Sequence, residues 1–458
     1  MKVVWLFLLS VAPVLAGCDA VRPLGAGEET GAVAEVAVFE GGYGIHWHQK
    51  VAGQFNALQA RRAAEAGVPA RRVELWGDPR VIEKVKPRLL RGNPPDLLLI
   101  YDVPIWVFIA AGKLRPFDAA LEKKAYGSDR IWRECFIPGT LDNYSSGGKV
   151  YAVPSTFTAW GCWYDARMFR EHGWAVPRDW NEFNTLCENI KESGIAPIAF
   201  QGKYPRYAWY TFVSLMQRCA GVAGINRINQ FAPGAFTHPD IVHAARLLQE
   251  MALRHYQKGA MAMTHTESQL QFVNGHAAMV FCGVWLYNEM KESIPPGFEM
   301  RCFDVPGVPD GRGNPRVRNA MGAEFLFVPT DAGEAETAFD FARYMVSPAT
   351  APAMSASIGV ISPLRGGTPP ESVDPPLRSV LQMLNTAGGI FRERVSEFLL
   401  DWQYQVMAPA IAGLMRGELT PEAFCGWLER GVQNAIADLD RQIPEYRPYD
   451  PARFGEAV

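Results

Sequence analysis

Apolar and polar positions change period along this chain, and the changes mark its elements. Val33–Phe39 is a short apolar strand, broken by Gly41-Gly42-Tyr43-Gly44, and a helix-period stretch follows to about Arg62. A second strand over 73–76 leads into a helix ending near Arg91-Gly92, and Pro95-Asp96 introduces the all-apolar run 97–101. A run with no polar alternation suits a parallel strand covered on both faces. Strand, helix, strand, helix, strand is a βαβαβ unit and predicts an open α/β sheet. Loops at the carboxyl ends of such strands form the ligand crevice. That places Tyr43, Trp76 and Asp78, and Tyr101 and Asp102 on one rim.

The pattern restarts near Val150 with an extended stretch at 151–154, a loop at 155–159 and a strand over 160–164. Helices are predicted over 179–193, 207–220, 239–257 and 267–274. The strand 277–281 ends in Cys282-Gly283-Val284-Trp285, a further strand covers 324–328, and a helix runs through Met345. The last hundred residues are mainly helical, clearest over 396–415 and 421–439. A chain of 458 residues exceeds one core, so two lobes are expected.

The N-terminus has a different character. Lys2 precedes an apolar run over 3–15, shorter than the ~20 residues that span a bilayer, and Leu15-Ala16-Gly17 leads into Cys18. This segment resembles a bacterial lipoprotein signal. The resemblance implies cleavage after residue 17, acylation of Cys18, and retention at an inner membrane signalled by Asp19. An uncleaved anchor and a plain secretory signal are the alternatives. Residues 18–32, Gly-, Ala- and Glu-rich, read as a flexible tether. Net charge is −3 with no basic stripe, so nucleic acid is not an expected partner. Beyond Cys18 the seven cysteines form no CxxC or Cys/His cluster, which predicts buried thiols with at most one bridge.

The candidate chemistry is aromatic. The chain has 13 Trp, 15 Tyr and 25 Phe, many beside Gly or Pro, and Tyr204-Pro-Arg-Tyr207-Ala-Trp209-Tyr210 is the densest group. A ring at a loop mouth can stack on the C–H face of a pyranose while its N–H or O–H bonds a hydroxyl. Carboxylates such as Asp102 and Glu267 can accept paired sugar hydroxyls, and Glu267 equally suits a helix start.

Ordered segments then carry a family resemblance: Gly92-Asn-Pro-Pro-Asp96, Gly148-Lys-Val-Tyr-Ala-Val-Pro154, Trp180-Asn-Glu-Phe183, Phe272-Val-Asn-Gly-His-Ala-Ala-Met279 and Gly283-Val-Trp285. The chain resembles the extracellular solute-binding proteins of carbohydrate-import ABC transporters, the group of maltose-binding protein. Gly41-Gly-Tyr-Gly44, Ser193-Gly-Ile-Ala-Pro197, Gln201-Gly-Lys-Tyr-Pro205 and His265-Thr-Glu-Ser-Gln269 are similar to its branch that binds N-acetylglucosamine and diacetylchitobiose. It departs from that branch at Ile45-His46-Trp47-His48, where an acidic residue is expected, and at 155–159.

The resemblance implies two α/β lobes, each a β-sheet flanked by helices, with a hinge of about three crossovers near Val153-Pro154, 302–309 and 355–362. The N-terminal lobe would be 33–153 plus 304–356, the C-terminal lobe 154–303 plus 357–458. Sugar contacts are expected at Tyr43, Trp76, Tyr101, Asp102 and Glu324 on the first lobe. On the second they are expected at Trp160, Tyr207, Trp209, His265, Glu267, Trp285 and Trp402. Trp209, Trp285 and Trp402 are assigned stacking, and Asp102, Glu267 and Glu324 hydroxyl bonding. A mono- or oligosaccharide ligand, permease subunits and a lipid-anchored monomer follow, with no cofactor and no catalysis. The competing classes are an envelope polysaccharide hydrolase, which needs paired carboxylates, and a metal-binding lipoprotein using His46 and His48, whose imidazoles are otherwise expected to face solvent.

Overall fold

The structure, a computed structural model, describes residues 31–41, 44–100 and 105–439. Cys18 with its signal and tether, Tyr43, Tyr101 and Asp102 lie outside the described residues. One ten-stranded sheet organises the molecule. Its first part is parallel: Val33–Phe39 lies between Arg72–Asp78 and Leu97–Leu99, in register Val36↔Leu97 and Val38↔Leu99. Helices His46–Ala66 and Val81–Arg91 provide the crossovers, the second ending at Gly92 with φ 74°. This is the predicted βαβαβ unit. Asp96 secures it, its carboxylate accepting the Glu35 and Glu334 N–H groups at 2.8 Å each.

The middle of the sheet is two antiparallel thirteen-residue strands, Val153–Asp165 and Val317–Pro329. The first corrects the expected loop at 155–159: these residues are buried strand, because the adjacent strand takes their backbone groups from Thr156↔Ala323 to Ala159↔Ala320. Beyond them come Ala277–Gly283, antiparallel to the first long strand, and Ala196–Ala199, parallel to it in turn. The two long strands together join the halves of the sheet: Val317–Pro329 pairs with Leu97–Leu99 and Val153–Asp165 with Ala277–Gly283, and helices cover the faces. Mixed α/β with two lobes is the observed class, as the sequence predicted.

Local signals set most boundaries. Helix Trp180–Glu192 starts where Asp179 accepts the Asn181 and Glu182 N–H groups. Helix Arg206–Asn229 is longer than predicted and bends at Gly221, whose φ of 70° and ψ of −178° only glycine adopts without strain. The predicted helix 396–415 is instead four segments: Val395–Phe398, Leu400–Trp402, the π-turn Gln403–Met407 and Ala408–Met415. Cys135, Cys162, Cys187, Cys219, Cys282, Cys302 and Cys425 are all buried, free thiols. Among the described residues no helix is long and apolar enough to cross a membrane.

Candidate functional site

A cavity of about 450 Å³ opens where the two long strands meet the loops of both sheet halves. Phe39, Pro79, Val81 and Ile82 bound it on the parallel side, and Thr156, Thr158, Trp160, Asn319 and Glu324 come from the long strands. Arg206, Tyr207 and Tyr210 enter from the start of helix Arg206–Asn229, Trp285 from just beyond strand Ala277–Gly283 and Glu289 from the helix Leu286–Met290.

Four rings make one wall. Trp160 sits at its centre, 5.0 Å from Tyr210, 6.1 Å from Tyr207 and 6.1 Å from Trp285 between centroids. Its indole N–H donates to Thr211 Oγ1 at 3.0 Å, which fixes the ring. The Trp285 ring folds back over Gly283, where a Cβ would stand 2.1 Å from it. Glycine here is a matter of close approach.

The polar groups are few. Glu289 accepts a 2.6 Å bond from Gln269 Nε2, and burial raises its carboxyl above the usual range. Glu324 has a left-handed backbone, φ 50°, and the ladder between the long strands skips it: Ala323 pairs with Thr156 and Phe325 with Pro154. No hydrogen bond or ion pair holds its carboxyl among the described residues, and burial pushes it up to about 7. A glutamate held there costs of order 1–3 kcal/mol, a strain characteristic of functional positions. The Thr158 hydroxyl is buried without a partner. Rings and under-satisfied polar groups lining one cavity suit a ligand with an apolar face and several hydroxyls.

Residues 53–374 match the family described as bacterial extracellular solute-binding protein. The chain belongs to that family. The solute-binding protein is 23% identical over 373 residues to the diacetylchitobiose binding protein NgcE of Streptomyces coelicolor, covering 80% of this chain and 77% of that one. Its fold is similar to a chitin oligosaccharide binding protein at TM-score 0.72 and 18% identity, covering 89% of this chain and 99% of the other. The sugar-binding protein MalE of Xanthomonas citri gives TM-score 0.67 at 18% identity, with 89% and 98% covered. The family resemblance read from the sequence is correct.

Of the residues singled out from sequence, the cavity of this solute-binding protein unites Trp160, Tyr207, Trp285 and Glu324. Others are placed differently. Trp209 is 2% exposed; it donates to Glu393 Oε2 at 2.9 Å and packs against Phe212, Phe236 and Trp402. Trp402, 3% exposed, bonds the Leu428 carbonyl. Both are interior packing, which corrects their stacking assignment. Trp76 lies within its strand, its N–H on Glu35, which also holds Arg88 by two 2.6 Å bonds. Glu267 is exposed in a capping box with Thr264, and those bonds hold its carboxyl below the usual range. His265 leans on Tyr204, ring centroids 5.5 Å apart, off the wall but near enough to influence Glu289.

His46 is exposed, whereas His48 is 5% exposed and desolvation lowers its imidazole to about 4. Two residues apart on one helix, they face different ways. This corrects the solvent-facing expectation for His48 and separates the proposed metal pair. Among the described residues no three His, Cys, Asp or Glu gather as a metal site.

Sequence reasoning missed Tyr210, Glu289, Thr158 and Asn319. Helical spacing could have found two of them. Tyr210 is three residues from Tyr207 and Glu289 four from Trp285, so each shares a face with its partner.

Glu324 gives a pH prediction. Its folded value of about 7 exceeds the ordinary 4.5, so the acid form stabilises the fold, and that stability is lost as pH rises from 4.5 through 7. Glu324→Gln should match the native thermal midpoint at pH 4 and exceed it by several degrees at pH 8, on a linkage of about 3 kcal/mol. Melting scans at both pH values check this; equal midpoints at pH 8 would refute it.

Proposed function

We propose that this chain is the sugar-capturing component of an ABC importer, held at the membrane by lipid on Cys18 and facing the periplasm or cell exterior. Its ligand is N-acetylglucosamine or a short amino-sugar oligosaccharide, which it delivers to the membrane permease. The observation that carries the reading is the cluster of Trp160, Tyr207, Tyr210 and Trp285 lining one cavity together with Glu289, Glu324 and Thr158. The names of NgcE and the chitin oligosaccharide binding protein support the substrate class.

Mechanism follows from where the wall is mounted. Phe39 and Pro79 come from one half of the sheet and Trp285 from the other. A sugar touching both favours the closed arrangement of lobes hinged on the crossing segments. Moving lobes from 1:99 to 99:1 closed needs about 5.5 kcal/mol of differential binding. A few stacked rings and charge-assisted hydrogen bonds, at roughly 1–3 kcal/mol each, supply that.

Calorimetric titration of the purified chain with N-acetylglucosamine, diacetylchitobiose, maltose and cellobiose is the test. Binding of an amino sugar in the micromolar range or tighter, with maltose and cellobiose weaker, is the expected result. No heat with any of the four overturns the reading, as does release of reducing sugar from chitin oligomers by the purified protein.

A further inference from the structure

Two acidic side chains enter the cavity from different elements. Glu324 stands on a long strand and Glu289 on the short helix Leu286–Met290. Nothing among the described residues neutralises Glu324, and Glu289 receives only the uncharged Gln269 amide. The other charged group on the wall is Arg206, which is already engaged within the protein. His265 lies near Glu289 outside the wall.

The acids share the cavity with four aromatic rings. Ring faces attract cations, most strongly where water is excluded. A carboxyl in such a place accepts a proton or a cation, and an acetamide supplies neither. The buried, unpartnered Thr158 hydroxyl on the same wall marks a position that a hydrogen-bonding ligand completes. The left-handed backbone holds Glu324 at the cavity at a cost in strain.

We propose that the cavity selects amino sugars bearing a free, protonated amine over their N-acetylated forms, with Glu324 and Glu289 as the amine's counter-charges and the Trp160 wall as its cation-binding face. This rests on the sugar-capture reading above and narrows its ligand class to the free-amine members, with N-acetylglucosamine the weaker ligand. No bond is made or broken. The amine binds as its ammonium, and Glu324 releases its proton to solvent when the ammonium arrives.

The test is calorimetric titration of the purified full chain, at low ionic strength and pH 7, with glucosamine and N-acetylglucosamine and with the β-1,4-linked glucosamine dimer and its diacetylated form. Each free-amine ligand should bind at least tenfold tighter than its acetylated counterpart. Its affinity should rise between pH 5.5 and 7 as Glu324 ionises. Glu324→Gln, close in shape, should collapse the ratio toward one and flatten that rise. Acetylated ligands binding as tightly as the amines, or an unchanged ratio in Glu324→Gln, overturns the inference while leaving sugar capture intact. If none of the four ligands binds and maltose and cellobiose do not either, sugar capture itself fails and this inference with it. The ratio in the unaltered protein decides the matter even if a variant folds poorly.

Discussion

Replacing Trp285 by alanine should weaken sugar binding at least tenfold while moving the thermal midpoint little, and replacing Trp209 should do the reverse. Both are tryptophans, but their surroundings differ. Trp285 is half-buried at the cavity, its ring over Gly283 and near Trp160 and Tyr207. Removing it takes away contact area that only the ligand completes, worth about 2 kcal/mol at a well-packed anchor. Trp209 touches no ligand surface. Its loss empties a space between Phe212, Phe236 and Trp402 and strips a donor from buried Glu393. Large aromatic-to-alanine changes in cores cost about 3–5 kcal/mol. Calorimetry and thermal melting on both variants check the contrast. Equal affinity loss in two folded variants would show that the wall is misassigned.

The second large effect is expected at Asp304. Its carboxylate takes both Arg218 and Arg318, and the Arg218 side chain is fully buried. Arg218 also donates to the Val305 carbonyl at 3.0 Å and the Val317 carbonyl at 2.7 Å. One acid thus ties helix Arg206–Asn229, which carries Tyr207 and Tyr210, to the start of the long strand that carries Glu324. Asp304→Ala leaves two guanidinium groups without a counter-charge, and removing one partner of a buried pair costs about 3–5 kcal/mol. Urea unfolding should register that loss, with Asp304→Asn intermediate because its amide oxygen still accepts one bond. A change under about 1 kcal/mol would mean that water reaches the cluster.

Much of the architecture was readable from the chain because its signals are local. The βαβαβ start is visible in an apolar run, a helical period and Gly92. Helix Trp180–Glu192 is visible in its Asp179 cap. The strand over 155–159 was not, because hydroxyl-bearing residues look loop-like alone and become strand through a partner that lies at 320–323, far along the chain. The site divides along the same line. Tyr207 and Trp209 lie two residues apart in a crowded aromatic motif, and no local feature says which faces the cavity. Helix geometry decides it: Tyr207 and Tyr210 share one side, and Trp209 turns to the interior. Glu267 illustrates a sugar-like carboxylate that serves its own helix, through Thr264 and not the neighbouring Thr266.

The order in which the sheet is filled has a consequence for biogenesis. Strand Val317–Pro329 wedges between Leu97–Leu99 and Val153–Asp165, and Glu334 closes the bond network of Asp96. Until the ribosome has delivered residues beyond 330, the first 160 residues carry an unzipped apolar edge with nothing to seal it. Such far-apart pairings nucleate slowly. The central sheet therefore closes only after about two thirds of the 458 residues have been made.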